Sequence, residues 1–183
     1  MASEKQRWQL VSDTNLGNYR VFDLHIHRMR SLRSGAEGDF VVLDCPNACN
    51  VIAVTEDQQV VLVRQYRFGL GRETLEFPAG MVDAGEDPLL AAQRELLEET
   101  GFGDGEWSYL GETAFNAAFQ NNKIYSFFAK DVRLVDVQKL DHDEDIDVVL
   151  YPFEDLPQLI EEEKMNHAVM LSALYWYKVR FNS

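Results

Sequence analysis

The chain has 183 residues, 46% of them hydrophobic, and a formal net charge of −14. That length suits one domain with a small appendage, and that hydrophobic share supplies a proper core. The acidic balance argues against nonspecific binding to nucleic acid or an anionic membrane, and no run approaches the ~18 apolar residues of a membrane helix.

The opening MASEKQRWQ carries no apolar stretch of the secretory kind, so a cytoplasmic location is expected. Cys45 and Cys49 are the only cysteines; a finger-type zinc site needs four ligands, and no matching pair of Cys or His at finger spacing completes theirs. Two reduced thiols, buried or half-buried, are expected. Within residues 7–44, RWQLVS, YRVFDLHIHRMR and DFVVLD predict three strands, separated by turn signals at 15–18 and 34–38. Three strands bury little by themselves, so this unit should pack on the main domain or on a second subunit. His25, His27, Arg28, Arg30 and Arg33 form the one basic cluster of an acidic chain. They serve either as edge-protecting charges on an exposed strand face or as a surface turned to substrate.

From Asn50 the pattern changes. NVIAVTE and DQQVVLVRQYRF predict a hairpin across 56–58, and ETLEFPAG predicts a short strand running into a glycine-rich loop. A helix follows. Asp87 suits its N-cap, Pro88 its first position and Gly101 its stop, while Leu89, Ala92 and Leu96 give one buried stripe. EWSYLGETAF and KIYSFFAKDV predict two more strands. DHDEDID is an acidic loop, VVLYP a short strand, and 153–162 and 166–180 are helices, the second capped by Asn166. Strands on both sides of one helix, with a helical C-terminus, indicate an α/β/α sandwich around a mixed sheet, preceded by a small antiparallel β unit.

The helix after the glycine loop carries the chemistry. Glu95, Glu98 and Glu99 stand at i, i+3 and i+4, so their carboxylates share one face. Like charges at that spacing destabilise a helix by roughly 0.2–0.5 kcal/mol per pair, and hard divalent cations, which prefer oxygen ligands, are the natural compensation. The alternative is a solvated acidic face. Two features weigh against it: Gly80 and Gly85 permit close backbone approach to a ligand, and Arg94 sits beside the cluster.

The full spacing, Gly80-x5-Glu86-x7-Arg94-Glu95-Leu96-x-Glu98-Glu99-x-Gly101-Phe102, resembles the signature of the Nudix hydrolases at every specified position. Within that superfamily the RQYR segment, the Glu-Phe-Pro-Ala-Gly entry to the loop and the leading β unit are similar to the ADP-ribose pyrophosphatase and GDP-mannose hydrolase branch. The resemblance implies two domains, a dimerisation unit at 1–45 exchanged between the subunits of a homodimer and a Nudix domain at 46–183. It implies Mg²⁺, with Mn²⁺ as a substitute, and a small-molecule nucleotide sugar as substrate. Glu95 and Glu99 become the main metal ligands, with Glu98, the Ala79 carbonyl and Glu86 assisting. Arg94 holds the glutamates, and Arg67, with Arg64 and Arg28, is expected to face the substrate. Tyr19 is expected to stack on the base. The general base is expected from the DHDEDID loop, Glu144 first and Asp143 second, with His142 as a rival. Many ADP-ribose pyrophosphatases carry a proline in a region that here reads Phe115-Asn116-Ala117-Ala118-Phe119, which broadens the expected substrates to nucleoside diphosphate sugars including GDP-mannose. Two other activities remain open: nucleotide sensing without turnover, and hydrolysis of nucleoside triphosphates. The intact signature speaks against the first and the leading β unit against the second.

Overall fold

The computed structural model describes residues 6–181 apart from Asp143. The chain falls into two compact units. The first holds residues up to Pro46 together with Ala114–Asn122, and the second holds Asn47–Thr113 and the chain from Lys123 onward.

In the first unit, β1 (Trp8–Asn18), β2 (Asp23–Ser31) and β3 (Glu37–Asp44) form an antiparallel sheet in that order. The expected turn at 15–18 is instead the end of β1, and the chain reverses at 19–22, where Tyr19 N–H donates to the Phe22 carbonyl. The turn-forming asparagine is spent inside the strand. Asn15 Oδ1 accepts the Gly17 N–H at 2.7 Å, at one of two register shifts in β1. Segment 114–122 joins this unit through Leu43 N–H to the Phe119 carbonyl at 2.7 Å and Cys45 N–H to Asn121 Oδ1 at 3.1 Å.

The second unit is an α/β/α sandwich. Its eight-stranded sheet runs β11 (Ile146–Pro152), β5 (Gln59–Arg67), β4 (Ala48–Thr55), β10 (Lys123–Leu134), β8 (Phe102–Gly103). Strand β6 (Arg72–Glu76) lies beside β5, β7 (Ala79–Met81) beside β4, and β9 (Glu106–Ala114) beside β10. The β4–β10 pair is parallel and β4–β5 antiparallel, so the sheet is mixed. Strand β4 reads as a continuous apolar run because both its faces are covered. Val51 and Ala53 pack in the core under helix α1 (Pro88–Thr100), while Ile52 and Val54 pack in the core under α2 (Leu156–Glu161) and α3 (Ala168–Phe181).

ETLEFPAG is not one strand. Pro78 has no N–H to give a ladder, and the chain changes partner there: β6 pairs with β5, then β7 with β4. The helix expected at 153–162 opens with a 3₁₀ turn at Phe153–Asp155, and α3 starts at Ala168, two residues past Asn166.

Candidate active site

Helix α1 is framed as its sequence demands. Asp87 Oδ1 accepts the Leu89 N–H at 2.8 Å, Pro88 opens the first turn, and Gly101 closes the last at φ 75°. Burial of Ala91, Ala92 and Leu96 against β4 and β10 sets the rotation of the helix. That rotation turns Glu99 inward, where it is 3% exposed, and leaves Glu95 and Glu98 progressively nearer solvent.

The loop meets the helix through two contacts. The Ala79 N–H donates to Glu99 Oε2 at 3.0 Å. Gly80 lies so close to Glu95 that a Cβ there would stand 2.1–2.4 Å from its carboxyl atoms, so any larger residue would push that carboxylate aside. Arg94 is the hub. Its Nε and Nη2 donate to Glu86 at 3.1 and 3.0 Å, its Nη1 to Glu95 at 2.7 Å and Glu98 at 3.2 Å, and Nη2 also to the Met81 carbonyl at 3.1 Å. Glu86 in turn accepts the Asp83 N–H at 3.0 Å, so one guanidinium orders both the loop and the acidic face.

The electrostatics are divided. Arg94 holds the Glu86 carboxyl below the usual carboxylate range. Burial pushes Glu95 up despite Arg94, and pushes Glu99 well up despite the Ala79 N–H; Glu144 adds to both shifts by charge. Two desolvated carboxyls with further negative charge nearby would be stabilised in their charged form by a bound cation. The carboxylates gathered here offer only oxygen, which fits a hard divalent ion. Cys49, buried beneath the loop with its thiol 3.7 Å from the Gly80 carbonyl and pushed up to about 12 by burial, is an inert packing group.

The acidic loop reaches this cluster by being stapled to the end of α1. Gln138 Nε2 donates to the Glu99 carbonyl at 2.7 Å and the Ile146 carbonyl at 3.0 Å, and Lys139 N–H donates to the Glu98 carbonyl at 2.8 Å. Glu144 Oε2 accepts the Asp141 N–H at 2.9 Å, and its charge is felt by both Glu95 and Glu99. Asp143 lies outside the described residues.

Arg67 is already engaged inside the protein. It makes a two-pronged ion pair, 2.7 and 2.6 Å, with fully buried Glu76, while remaining within electrostatic reach of Glu99. Glu76 also accepts from Thr74 and pairs with His167 Nδ1 at 3.0 Å. Burial alone would raise the Glu76 carboxyl, but Arg67 and His167 hold it at about 2. Sequence reasoning assigned no role to Glu76, His167 or Gln138. The available signal for Glu76 was an acid flanked by the inward-facing Leu75 and Phe77.

Arg64 is not brought to the cluster. Its neighbours Val63 and Gln65 point to the opposite side of the strand, and it lines a polar groove with Arg72, Thr74 and Lys164, loosely paired to Asp147 at 3.9 Å. Arg28 and Tyr19 belong to the first unit. Arg28 is spent on Glu37 at 2.9 Å and Asp39 at 3.2 Å, and exposed Tyr19 stacks on Phe22 with centroids 5.4 Å apart.

A NUDIX domain model matches residues 46–174. The chain is similar to an ADP-ribose pyrophosphatase of Bacillus subtilis (strain 168), 28% identical over 162 residues that cover 88% of this chain and 87% of the relative. It is also similar to a methanol dehydrogenase activator of Bacillus methanolicus, 32% identical over 162 residues with the same coverage of 88% and 87%. The crystal structure of an ADP compounds hydrolase superposes with a TM-score of 0.85 at 23% identity, covering 97% of this chain and 95% of the other, and that likeness shows the fold.

Proposed function

The chain belongs to the NUDIX domain family, and from that premise we propose that it hydrolyses the pyrophosphate bond of nucleoside diphosphate sugars, ADP-ribose and GDP-mannose among them, to a nucleoside monophosphate and a sugar phosphate. The observation that carries the reading is the Arg94 network, which gathers Glu86, Glu95 and Glu98 beside the Glu99–Ala79 contact in an all-oxygen site. Nudix hydrolases work with divalent ions; Mg²⁺ is the ion proposed here, with Mn²⁺ as substitute. Glu95 and Glu99, assisted by Glu98 and the Ala79 carbonyl, would hold it. When bound, such ions supply neutralisation of phosphate charge and Lewis acidity.

The protein's own groups do the rest. Arg94 fixes the direction of Glu95 and Glu98 and, through Glu86, the shape of the loop. Arg67, braced by Glu76, sets a positive charge beside Glu99 for the phosphates. Glu144 takes the proton from the attacking water, since the signature carboxylates are committed to metal and make poor bases. In the first unit, residues 1–45 are proposed to dimerise by exchange: the exposed Trp8, Leu10, Phe40 and Val41 leave a three-stranded sheet with apolar surface uncovered, and Tyr19 offers a ring to a nucleobase.

The test is an assay of ADP-ribose, GDP-mannose, other nucleotide sugars, dinucleotides and triphosphates with Mg²⁺, Mn²⁺ or chelator. Monophosphate release from a diphosphate sugar, lost on chelation, is expected. Turnover of triphosphates alone, or of nothing, overturns the reading.

A further inference from the structure

The first unit contains a second set of ligating groups. Alternation along β2 places His25 and His27 on one face of the sheet, two residues apart. Asp13, directly across from His27 on β1, sends Oδ1 to 2.7 Å from His25 Nδ1 and 3.5 Å from His27 Nε2. Among the described residues, these three are the one group of His, Cys, Asp or Glu whose ligand atoms all lie within 4.8 Å of one another.

A register shift creates this meeting. Leu10 pairs with Met29, but Ser12, not Val11, pairs with Arg28. Without the extra residue, Ser12 would face His27 and Asp13 would oppose Ile26, on the far side of the sheet. The bulge therefore re-aims one carboxylate onto the face that carries both imidazoles. The two histidine side chains are 15% and 28% exposed, so they are partly desolvated yet open to an ion.

We propose that Asp13, His25 and His27 form a transition-metal site of the zinc class, separate from the all-oxygen signature cluster. Two imidazoles and one carboxylate suit Zn²⁺ and its neighbours rather than Mg²⁺, with remaining positions left to water. Tetrahedral zinc at ~2.0–2.1 Å from each ligand sets ligand atoms about 3.3 Å apart, within about 1.5 Å of the spacing already present. The ion replaces the hydrogen bond between His25 Nδ1 and Asp13 Oδ1, and the neutral imidazole then carries its proton on Nε2, which faces solvent or Asn15. By joining β1 to β2 the ion braces a small sheet. The proposal does not rest on the pyrophosphatase reading.

The signature glutamates also attract Zn²⁺, so the experiment uses the full chain carrying Glu95→Gln and Glu99→Gln. Zn²⁺ is titrated calorimetrically, thermal unfolding is followed with and without Zn²⁺, and the visible spectrum is read with Co²⁺. One Zn²⁺ per chain, a rise in Tm and a Co²⁺ spectrum of nitrogen and oxygen ligands are expected. Adding His27→Gln should weaken binding at least tenfold and remove the Tm rise, and Asp13→Asn, which preserves shape, should act the same way. No uptake by the starting protein, or uptake that neither added substitution weakens, overturns the site.

Discussion

Glu99 is the buried centre of the candidate active site, and it separates catalysis from stability. Glu99→Gln relieves a desolvated acid while removing a proposed ion ligand, so kcat should fall by several orders of magnitude as the fold persists. Near-normal turnover at saturating Mg²⁺ would reject the assignment. Glu144 has a narrower task. Glu144→Gln should lower kcat by about 10²–10⁴-fold and leave KM and metal affinity nearly unchanged; a large loss from His142→Ala with none from Glu144→Gln would move the role to that neighbour. Gly80→Ala places a methyl group against the Glu95 carboxyl, whose side chain must swing away from Arg94. Misplacement of that order costs about 10²-fold in rate, with little change in Tm. The helical glutamates were legible in sequence because the signature fixes their spacing, and helical spacing converts directly to a shared face; Glu144 was reached only through its acidic loop.

At the scale of elements, β6 carries the group that tertiary contacts alone could reveal. Glu76 is fully buried and held at about 2, against an ordinary value of 4.5, by Arg67, His167 and Thr74. Its folded value is depressed, so its stabilisation is complete above about pH 4.5 and fades as pH falls towards 2, to a total of about 3 kcal/mol. Urea unfolding from pH 7 to 2 should show that acid limb in the parent protein. Glu76→Gln should lower stability at pH 7, because Arg67 loses its partner, and flatten the limb; an unchanged limb would refute the account. The stop of α1 obeys a simpler rule. Gly101 has φ 75° and the Asp136 carbonyl oxygen would stand 2.3 Å from an added Cβ, so Gly101→Ala should cost more than about 1 kcal/mol, read as a lower Tm.

At the scale of the whole molecule, the first unit presents uncovered apolar surface. A three-stranded sheet showing Trp8, Leu10, Phe40 and Val41 to solvent is poorly provided with core, and a homodimer is expected. Sedimentation at micromolar concentration should return twice 21.0 kDa, and a clean monomer would refute the expectation. Membership of segment 114–122 in this unit was invisible in sequence, since it depends on backbone hydrogen bonds with Leu43 and on the Asn121 side chain accepting from Cys45 N–H, across a long stretch of sequence.

Local and periodic features follow from the order of residues alone. Asp87, Pro88 and Gly101 framed the helix, the glutamate spacing defined its acidic face, and alternation or continuous apolar runs marked the strands. Features that depend on partners distant along the chain emerge only on folding. Folding split ETLEFPAG between β5 and β4 at a proline that cannot donate, and turned Arg67 onto Glu76 and Arg64 to the other face of the sheet. It also moved Asp13 across a bulge to meet two histidines. Propensity and spacing act over a few residues of backbone, whereas strand register and side-chain pairing are settled by which segments come to lie side by side in space.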